Sequence, residues 1–338
     1  MNWYDSSFKI GVLGGGQLGR MLIQEAVNLN ANIHILDPDE NAPCCDLVKS
    51  FTKGSLLDFD DVYNFGKDKT VVTIEIENVN VAALKKLESE GIKVFPQPDI
   101  LEMVQDKGLQ KQFYLNNDIP TAPFFTVDNK EEISDYSHEF PFMQKMRKGG
   151  YDGKGVTPIR NNEDLANAFD VPSVLEKFVD FEKEISVIIA RNESGEIASF
   201  PVVECEFNPE ANLVEFLFAP ANLSEKIKED AHRIAKDLIN KLGMVGILAV
   251  EMFVTKSGEV LVNEIAPRPH NSGHQTIEAN YTSQYEQHLR AILDLPLGST
   301  KMILPSVMIN LLGKKGYEGK VIYEGLKEAI ALEGVHPH

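Results

Sequence analysis

The sequence predicts an α/β N-terminal domain on a parallel sheet, joined to a larger α+β region. Three observations carry that expectation. The first hundred residues alternate apolar, strand-like runs (FKIGVLG, NIHILD, VVTIEIE at 71–77, IKVFPQP) with helical-period segments (QLGRMLIQEAVNLN, VNVAALKKLESEG), the pattern of βαβ units. Beyond the breaker IPTAPF, short strands follow between Gly- or Asn-rich turns: FPFMQKM, GVTPIR, SVLEKFV, KEISVIIAR and EIASFPVVEC. A long helix with Ser224 as N-cap and Gly243 past its end then leads into the hairpin AVEMFVT–KSGE–VLVNEIA.

Taken in order, the first helix places Leu18, Met21, Leu22, Ala26 and Leu29 on one face, and the helix after VVTIEIE stops at Gly91. A single helix is expected over ILEMVQDKGLQKQFYLNND. In the long helix Ile227, Ala231, Ile234, Ala235, Leu238 and Leu242 form the buried stripe. A helix near TSQYEQHLRAIL and a strand at ILPSVMINLLG close the chain. No internal repeat or low-complexity segment interrupts it.

Composition narrows the function classes. A formal net charge of −18 argues against sequence-independent nucleic-acid binding, which needs a basic surface. No apolar run is long enough to span a bilayer, and MNWYDSSFKI lacks the features of a signal peptide. Three cysteines make no disulfide framework and suit a cytoplasmic protein; Cys44 and Cys45, with no nearby base, read as inert.

Four stretches carry chemistry. With KSGE as the hairpin loop, Glu251 lies opposite Glu264 on one face of the sheet. Like charges so placed repel, and a divalent cation held by hard oxygen ligands relieves them; two solvated glutamates on an exposed face are the alternative. Asn263 points to the other face unless the strand bulges. The segment KMRKGGYDGKGV (145–156) sets Lys145, Arg147, Lys148 and Lys154 among Gly149, Gly150, Gly153 and Gly155, a backbone able to cradle phosphate, though a plain basic turn has the same composition. It does not match the P-loop pattern. NEIAPRPHNSGH (263–274) presents Arg268, His270, Asn271, Ser272 and His274 from a proline-restrained loop. Finally, GVLGGGQLGR fits G-x-G-x-x-G at Gly14, Gly16 and Gly19, with Asp37 ending the next strand, the fingerprint of a phosphate-binding turn. Glu75 and Glu77 close a strand of the parallel sheet, Glu176 and Glu184 flank KFVDFEK, and Ser283 with His288 lacks the acidic residue of a hydrolase triad.

GGGQLGR, KMRKGGYDGKGV, EKFVDFEKEISVI, AVEMF, VNEIAPRPHNSGH and TSQYEQHLRAILDLPLG, collinear over nearly the whole chain, resemble the ATP-grasp enzymes of purine biosynthesis, and among them the N5-carboxyaminoimidazole ribonucleotide synthetase family. The resemblance implies an ATP-grasp fold with a Rossmann-like, preATP-grasp N-terminal domain at 1–100 and a linking helix and connection at 101–123. A small mobile subdomain at 124–178 and a main ATP-grasp domain at 179–300 would follow, then a C-terminal segment at 301–338. It implies a ligase that uses ATP, Mg²⁺ (Mn²⁺ as an alternative) and bicarbonate to carboxylate the amine of 5-aminoimidazole ribonucleotide (AIR) through carboxyphosphate, working as a cytoplasmic homodimer without nucleic-acid or membrane partners.

Carried over by motif, Lys107, Lys145 and the loop Gly150, Tyr151, Asp152, Gly153, Lys154, Gly155 and Val156 would hold ATP phosphates. Glu176, Lys177, Phe178 and Val179 would line the adenine pocket, Glu184 would take the ribose, and Asn263 with Glu264 would complete the ATP site. Glu251 and Glu264 would bind the metal. Tyr151, Asp152, Lys154 and Arg268 would act in catalysis. Gly16, Gln17, Leu18, Asp37, Glu75, Lys148, Arg268, His270, Asn271 and Ser272 would contact AIR or bicarbonate.

Three departures stand out. Position 107 is Lys where the family commonly has Arg, Cys205–Glu206–Phe207 replaces an Asn-x-His, and the chain ends at GVHPH where relatives continue through a basic segment. The expectation is either an apparent truncation or a protein that binds AIR less tightly, with Lys148 and the glycine turn carrying more of the ribonucleotide phosphate. Rival readings are another purine-pathway ATP-grasp ligase with a different acceptor, an NAD-dependent oxidoreductase suggested by the glycine fingerprint alone, and a catalytically weak nucleotide-binding protein.

Overall fold

The computed structural model describes residues 2–150, 155–208, 213–313, 316–317 and 319–338. Strands β1 (Ile10–Leu13), β2 (Ile33–Asp37), β3 (Ser50–Lys53), β4 (Val71–Ile74) and β5 (Lys93–Val94) form a parallel sheet in the order β3-β2-β1-β4-β5. β1 and β4 are buried throughout, which their unbroken apolar runs require. Helices α1 (Gln17–Asn28), α2 (Phe59–Gly66) and α3 (Val81–Ser89) make the crossovers. Strand order reverses between β1 and β4, so a crevice opens at their C-terminal ends. VVTIEIE pairs only as far as Ile74, which frees Glu75 and Glu77 for that crevice. The sequence signals for β3 and α2 are weak: SFTK is short and polar in all but Phe51, and α2 is an eight-residue helix capped by Asp58.

The single helix expected after residue 100 is two, α4 (Pro98–Val104) and α5 (Lys107–Asn116). Asp106 breaks it by turning extended, and its carboxylate then caps α5 by accepting from the amides of Gly108 and Leu109.

A small antiparallel sheet follows: β6 (Phe124–Val127), β7 (Phe142–Met146), β8 (Val156–Ile159) and β9 (Ser173–Lys177), in the order β6-β9-β7-β8. Its own core holds Val127, Ile133, Phe142, Ile159 and Leu175. The largest sheet comprises β10 (Phe181–Arg191), β11 (Ile197–Ser199), β12 (Val203–Asn208), β13 (Leu213–Ala219), β14 (Gly246–Thr255), β15 (Val260–Ala266) and β16 (Ser306–Ile309), in the order β15-β14-β10-β12-β13-β16 with β11 beside β10. EIASFPVVEC is therefore two strands, and ILPSVMINLLG contributes only an edge strand. Helix α6 (Glu225–Leu242) is capped by Ser224 and ends at left-handed Gly243. It covers one face, packing Ala231, Ile234, Ala235 and Leu238 into a core with Ile185, Val187 and Met252.

After α7 (Thr276–Ala279), helix α8 (Gln284–Ile292) joins the two halves, since Tyr285, Leu289 and Ile292 share a core with Ile10, Val12, Met21 and Leu22 of the first domain. Buried His288 meets Thr73 of β4 at 2.9 Å, while Ser283 caps α8 and bonds Glu25. Both residues are structural, which removes the hydrolase pair. A short α9 (Leu326–Ile330) lies near the end of the chain. Among the described residues no helix is long and apolar enough to cross a membrane.

Candidate active site

The hairpin builds the acidic half of the site. Glu251 and Glu264 are directly paired, but through two offsets that cancel. Near the turn the strands pair Val254 with Val260, one residue away from the register a KSGE loop implies, and a bulge between Glu251 and Met252 restores it. The bulge falls at Asn263 and turns its side chain to the same side, where its Oδ1 accepts from Lys145 Nζ at 3.0 Å. On the neighbouring strand Ser186 pairs with Glu251, so Glu184 shares the face two residues along.

Three carboxylates thus converge in one cleft. Burial, with Glu264 next, pushes Glu184 up to about 7, and burial with the charges of Glu264 and Glu184 also raises Glu251. Glu264 is held low by Lys107, whose Nζ lies 3.1 Å from its Oε2, although its side chain is 46% open to the cleft. Negative charge in excess of its partners is what a divalent cation relieves, and Lys107 already supplies part of that compensation. Among the described residues no group of three His, Cys, Asp or Glu side chains could hold a metal ion. The fit is therefore to a cation that takes two carboxylates from the protein and its remaining ligands from phosphate oxygens and water, as Mg²⁺ does.

The basic half lies opposite. Lys145 on β7 reaches Asn263 and, at 3.1 Å, the carboxylate of Glu176 on β9. Lys111, one helical turn beyond Lys107 on α5, reaches the same carboxylate at 3.3 Å. Burial opposes the Glu176 charge, yet Lys145 and Lys111 outweigh it and hold the group ionised. Glu176, expected in the adenine pocket, has its side chain committed to lysines, and its backbone lies in β9 between Phe124 and Met143. Arg147 is likewise unavailable: it clamps Asp106 with two bonds of 2.8 Å, and Lys148 is exposed, 4.0 Å from the same carboxylate. Gly150, Gly155 and Val156 border the loop beside Lys145, while Tyr151, Asp152, Gly153 and Lys154 lie outside the described residues. Lys177 turns to Glu139 at 2.7 Å, Phe178 is exposed, and Val179 is half-buried.

The third component joins the halves. Arg268 Nε lies 2.7 Å from Glu77 beyond β4, tying the proline-rich loop to the first domain's crevice. His270 stands 3.7 Å from Glu251, and burial, with Arg268 next, pushes it down to about 3, so it works as a neutral ring. Its orientation is fixed by Ser272, which is fully buried and bonds His270 Nδ1 at 2.9 Å and Ser186 at 2.8 Å. Ser272 positions this ring instead of offering its hydroxyl to a ligand. In the same loop the buried Asn271 Oδ1 has no hydrogen-bond partner among the described residues, an acceptor left for a bound molecule.

At the glycine turn the expected phosphate site requires correction. The amides of Gly16 and Gly19 donate to Glu75, and that of Gly15 donates to Asp37 at 2.7 Å. The carboxylates occupy the donors a phosphate would need, and a phosphate there would meet two negative charges. Burial raises Glu75 even so, against the two amide bonds. The turn consequently presents acceptors to N–H and O–H donors, with Gln17 and Leu18 starting α1 beside them.

Behind this turn Cys44 is fully buried, and burial with Glu75 pushes its thiol up to about 12. Cys205 is also buried and raised. Iodoacetamide at pH 8 is expected to label half-buried Cys45 while sparing the other two in the native protein, read by peptide mass spectrometry; rapid labelling of Cys44 would contradict the packing described.

Sequence reasoning missed Lys111, Glu77 as the partner of Arg268, and Asp106. A signal existed for Lys111: four residues from Lys107 on a helix, it had to share that residue's face.

The ribonucleotide synthetase preATP-grasp domain family matches residues 7–105, and the ATP-grasp domain family matches residues 112–285. The chain is similar to a crystal structure of N5-carboxyaminoimidazole ribonucleotide synthetase from Thermotoga maritima, 46% identical with a TM-score of 0.87, covering 97% of this chain and 87% of that one. It is also similar to the Aspergillus clavatus N5-carboxyaminoimidazole synthase in complex with ADP and 5-aminoimidazole ribonucleotide, 33% identical with a TM-score of 0.85, covering 92% and 83%. Phosphoribosylaminoimidazole carboxylase of Vigna aconitifolia is 39% identical over 338 residues, and the chain, 97% covered, spans 60% of that protein's length.

Proposed function

The chain belongs to the N5-carboxyaminoimidazole ribonucleotide synthetase family of ATP-grasp enzymes, and from that premise we propose that it carboxylates the amine of AIR with bicarbonate, driven by cleavage of ATP. One observation carries the reading beyond the likeness. The Arg268–Glu77 pair brings the carboxylate–lysine cleft and the crevice of the first domain to a common junction, so a group activated in one faces an acceptor held in the other.

A bicarbonate oxygen attacks the γ-phosphorus of ATP, the bond to ADP breaks, and carboxyphosphate forms. The amine nitrogen of AIR then attacks the carboxyl carbon, phosphate leaves, and the amine proton departs with it. Lys107 and Lys145 hold the phosphates and balance the charge that moves to ADP. A divalent cation between Glu251 and Glu264 would neutralise phosphate charge when bound. Arg268 and His270 face bicarbonate and the amine, a role the family resemblance also gives to Tyr151 and Asp152. Asp37 and Glu75 accept from the ribose or the aminoimidazole. The same reading makes the protein a cytoplasmic homodimer using Mg²⁺.

Purified protein with MgATP is expected to form ADP only when both bicarbonate and AIR are present, with carboxylated AIR as product. Replacing bicarbonate with formate separates a formyl-transferring relative. ADP formation indifferent to AIR would overturn the assignment of the acceptor.

A further inference from the structure

Among the described residues Lys111 is the most deeply buried cation, its side chain 2% accessible. It is no incidental passenger on α5. Its ammonium donates to Thr121 Oγ1 at 2.6 Å, and Thr121 in turn donates to the Val262 carbonyl on β15 at 2.7 Å. On its other side lies Glu176, and beyond Glu176 lies Lys145, which ends on Asn263. The line Val262–Thr121–Lys111–Glu176–Lys145–Asn263 starts on β15, crosses into the small sheet and returns to β15 at the bulge. Burying a lysine costs several kcal/mol unless a partner compensates it, and Glu176 is that partner. Burial pushes the Lys111 amine down to about 8 even with Glu176 beside it, so its charge depends on that contact.

From this arrangement we infer that Lys111 is a positioning residue for ATP: through Glu176 it fixes where the small sheet presents Lys145 to the phosphates. Glu176 is shared by two lysines of different elements. Removing Lys111 leaves it to Lys145 alone, which is then drawn inward, away from Asn263 and the cleft. Lys111 itself touches no ligand. The inference rests on the assignment of Lys145 to ATP, but not on the acceptor.

The test is a double-mutant cycle on ATP affinity, measured by calorimetry with the non-hydrolysable analogue AMP-PNP and Mg²⁺ on the full chain. Lys145→Met and Lys111→Met are each expected to weaken binding about tenfold, while the double variant falls no more than about twofold below the worse single one, because both act at one point. KM for ATP should rise in Lys111→Met with kcat changed less. Additive losses would overturn the proposal, since a merely structural lysine weakens binding whether or not Lys145 is present. If Lys111→Met fails to fold, Lys111→Met/Glu176→Gln removes both buried charges together. It is expected to fold and still show the weakened, Lys145-independent affinity; wild-type affinity in that variant would overturn the proposal. Normal AMP-PNP affinity in a protein that fails to carboxylate AIR when given MgATP and bicarbonate would instead count against the acceptor and leave this inference standing.

Discussion

Replacing Glu264 with Gln is expected to lower AIR-dependent ADP formation by roughly 10²–10³-fold, the loss of about 3–4 kcal/mol of transition-state stabilisation. The side chain keeps its size and its place opposite Glu251, so the hairpin register survives. What goes is the charge that pairs with Lys107 and, with Glu251, attracts a cation. Two effects follow from one substitution: Lys107 loses its fixed partner, and the cation loses one of two protein ligands. The stability of the fold should change little, because Glu264 opens to the cleft and its loss also relieves repulsion with Glu251. Turnover at increasing Mg²⁺ checks the cause. If activity recovers at high Mg²⁺, the cation site is what was weakened. Unchanged turnover at ordinary Mg²⁺ would remove the pair from the catalytic machinery and favour a nucleotide-binding protein of low activity.

The Glu251–Glu264 pairing was legible because alternation along strands is a rigid rule, and both carboxylates lie in an unambiguous hairpin. It was legible despite an error in the turn, which the bulge at Asn263 happens to cancel. Nothing in the letters VNEIA announces a bulge, and without it Asn263 would face away from Lys145. The parallel sheet was readable from its apolar runs, whereas β3 has one apolar residue and α2 spans only about two turns, too short for periodicity to register. The glycine turn shows a different limit. Its shape was plain in GVLGGGQLGR, but its occupant was not, because Glu75 and Asp37 reach its amides from 59 and 22 residues away in sequence. A fingerprint gives the backbone and leaves open who fills it; here two carboxylates convert a donor site into an acceptor site. Glu176 repeats the lesson, since only the folded chain puts two lysines on one carboxylate.

Asp106 carries the second large effect, and on stability. Its carboxylate accepts from the amides of Gly108 and Leu109 and from two nitrogens of Arg147 at 2.8 Å, with Arg147 partly open to solvent. Burial resists the charge, but Arg147 and the two amides more than offset it, and the group is held below the usual carboxylate range. Asp106→Ala removes the cap, about 1 kcal/mol, and strands the guanidinium, which costs less than a fully buried pair because solvent reaches it. A total of about 2–4 kcal/mol lowers the melting temperature by roughly 3–6 °C in a chain of this size. Asp106→Asn separates the terms, since asparagine still caps a helix but lacks the charge and the second acceptor oxygen that Arg147 clamps; its loss should fall between wild type and alanine. A melting temperature for the alanine variant within about 1 °C of wild type would show the clamp to be idle. The consequence extends into the site. The Lys107 amide donates to the Arg147 carbonyl at 2.9 Å, so the clamp sets the spacing between α5 and the strand carrying Lys145. Freed from Asp106, that strand should shift before anything unfolds, raising KM for ATP several-fold while kcat changes less, because the lysines are displaced and not removed.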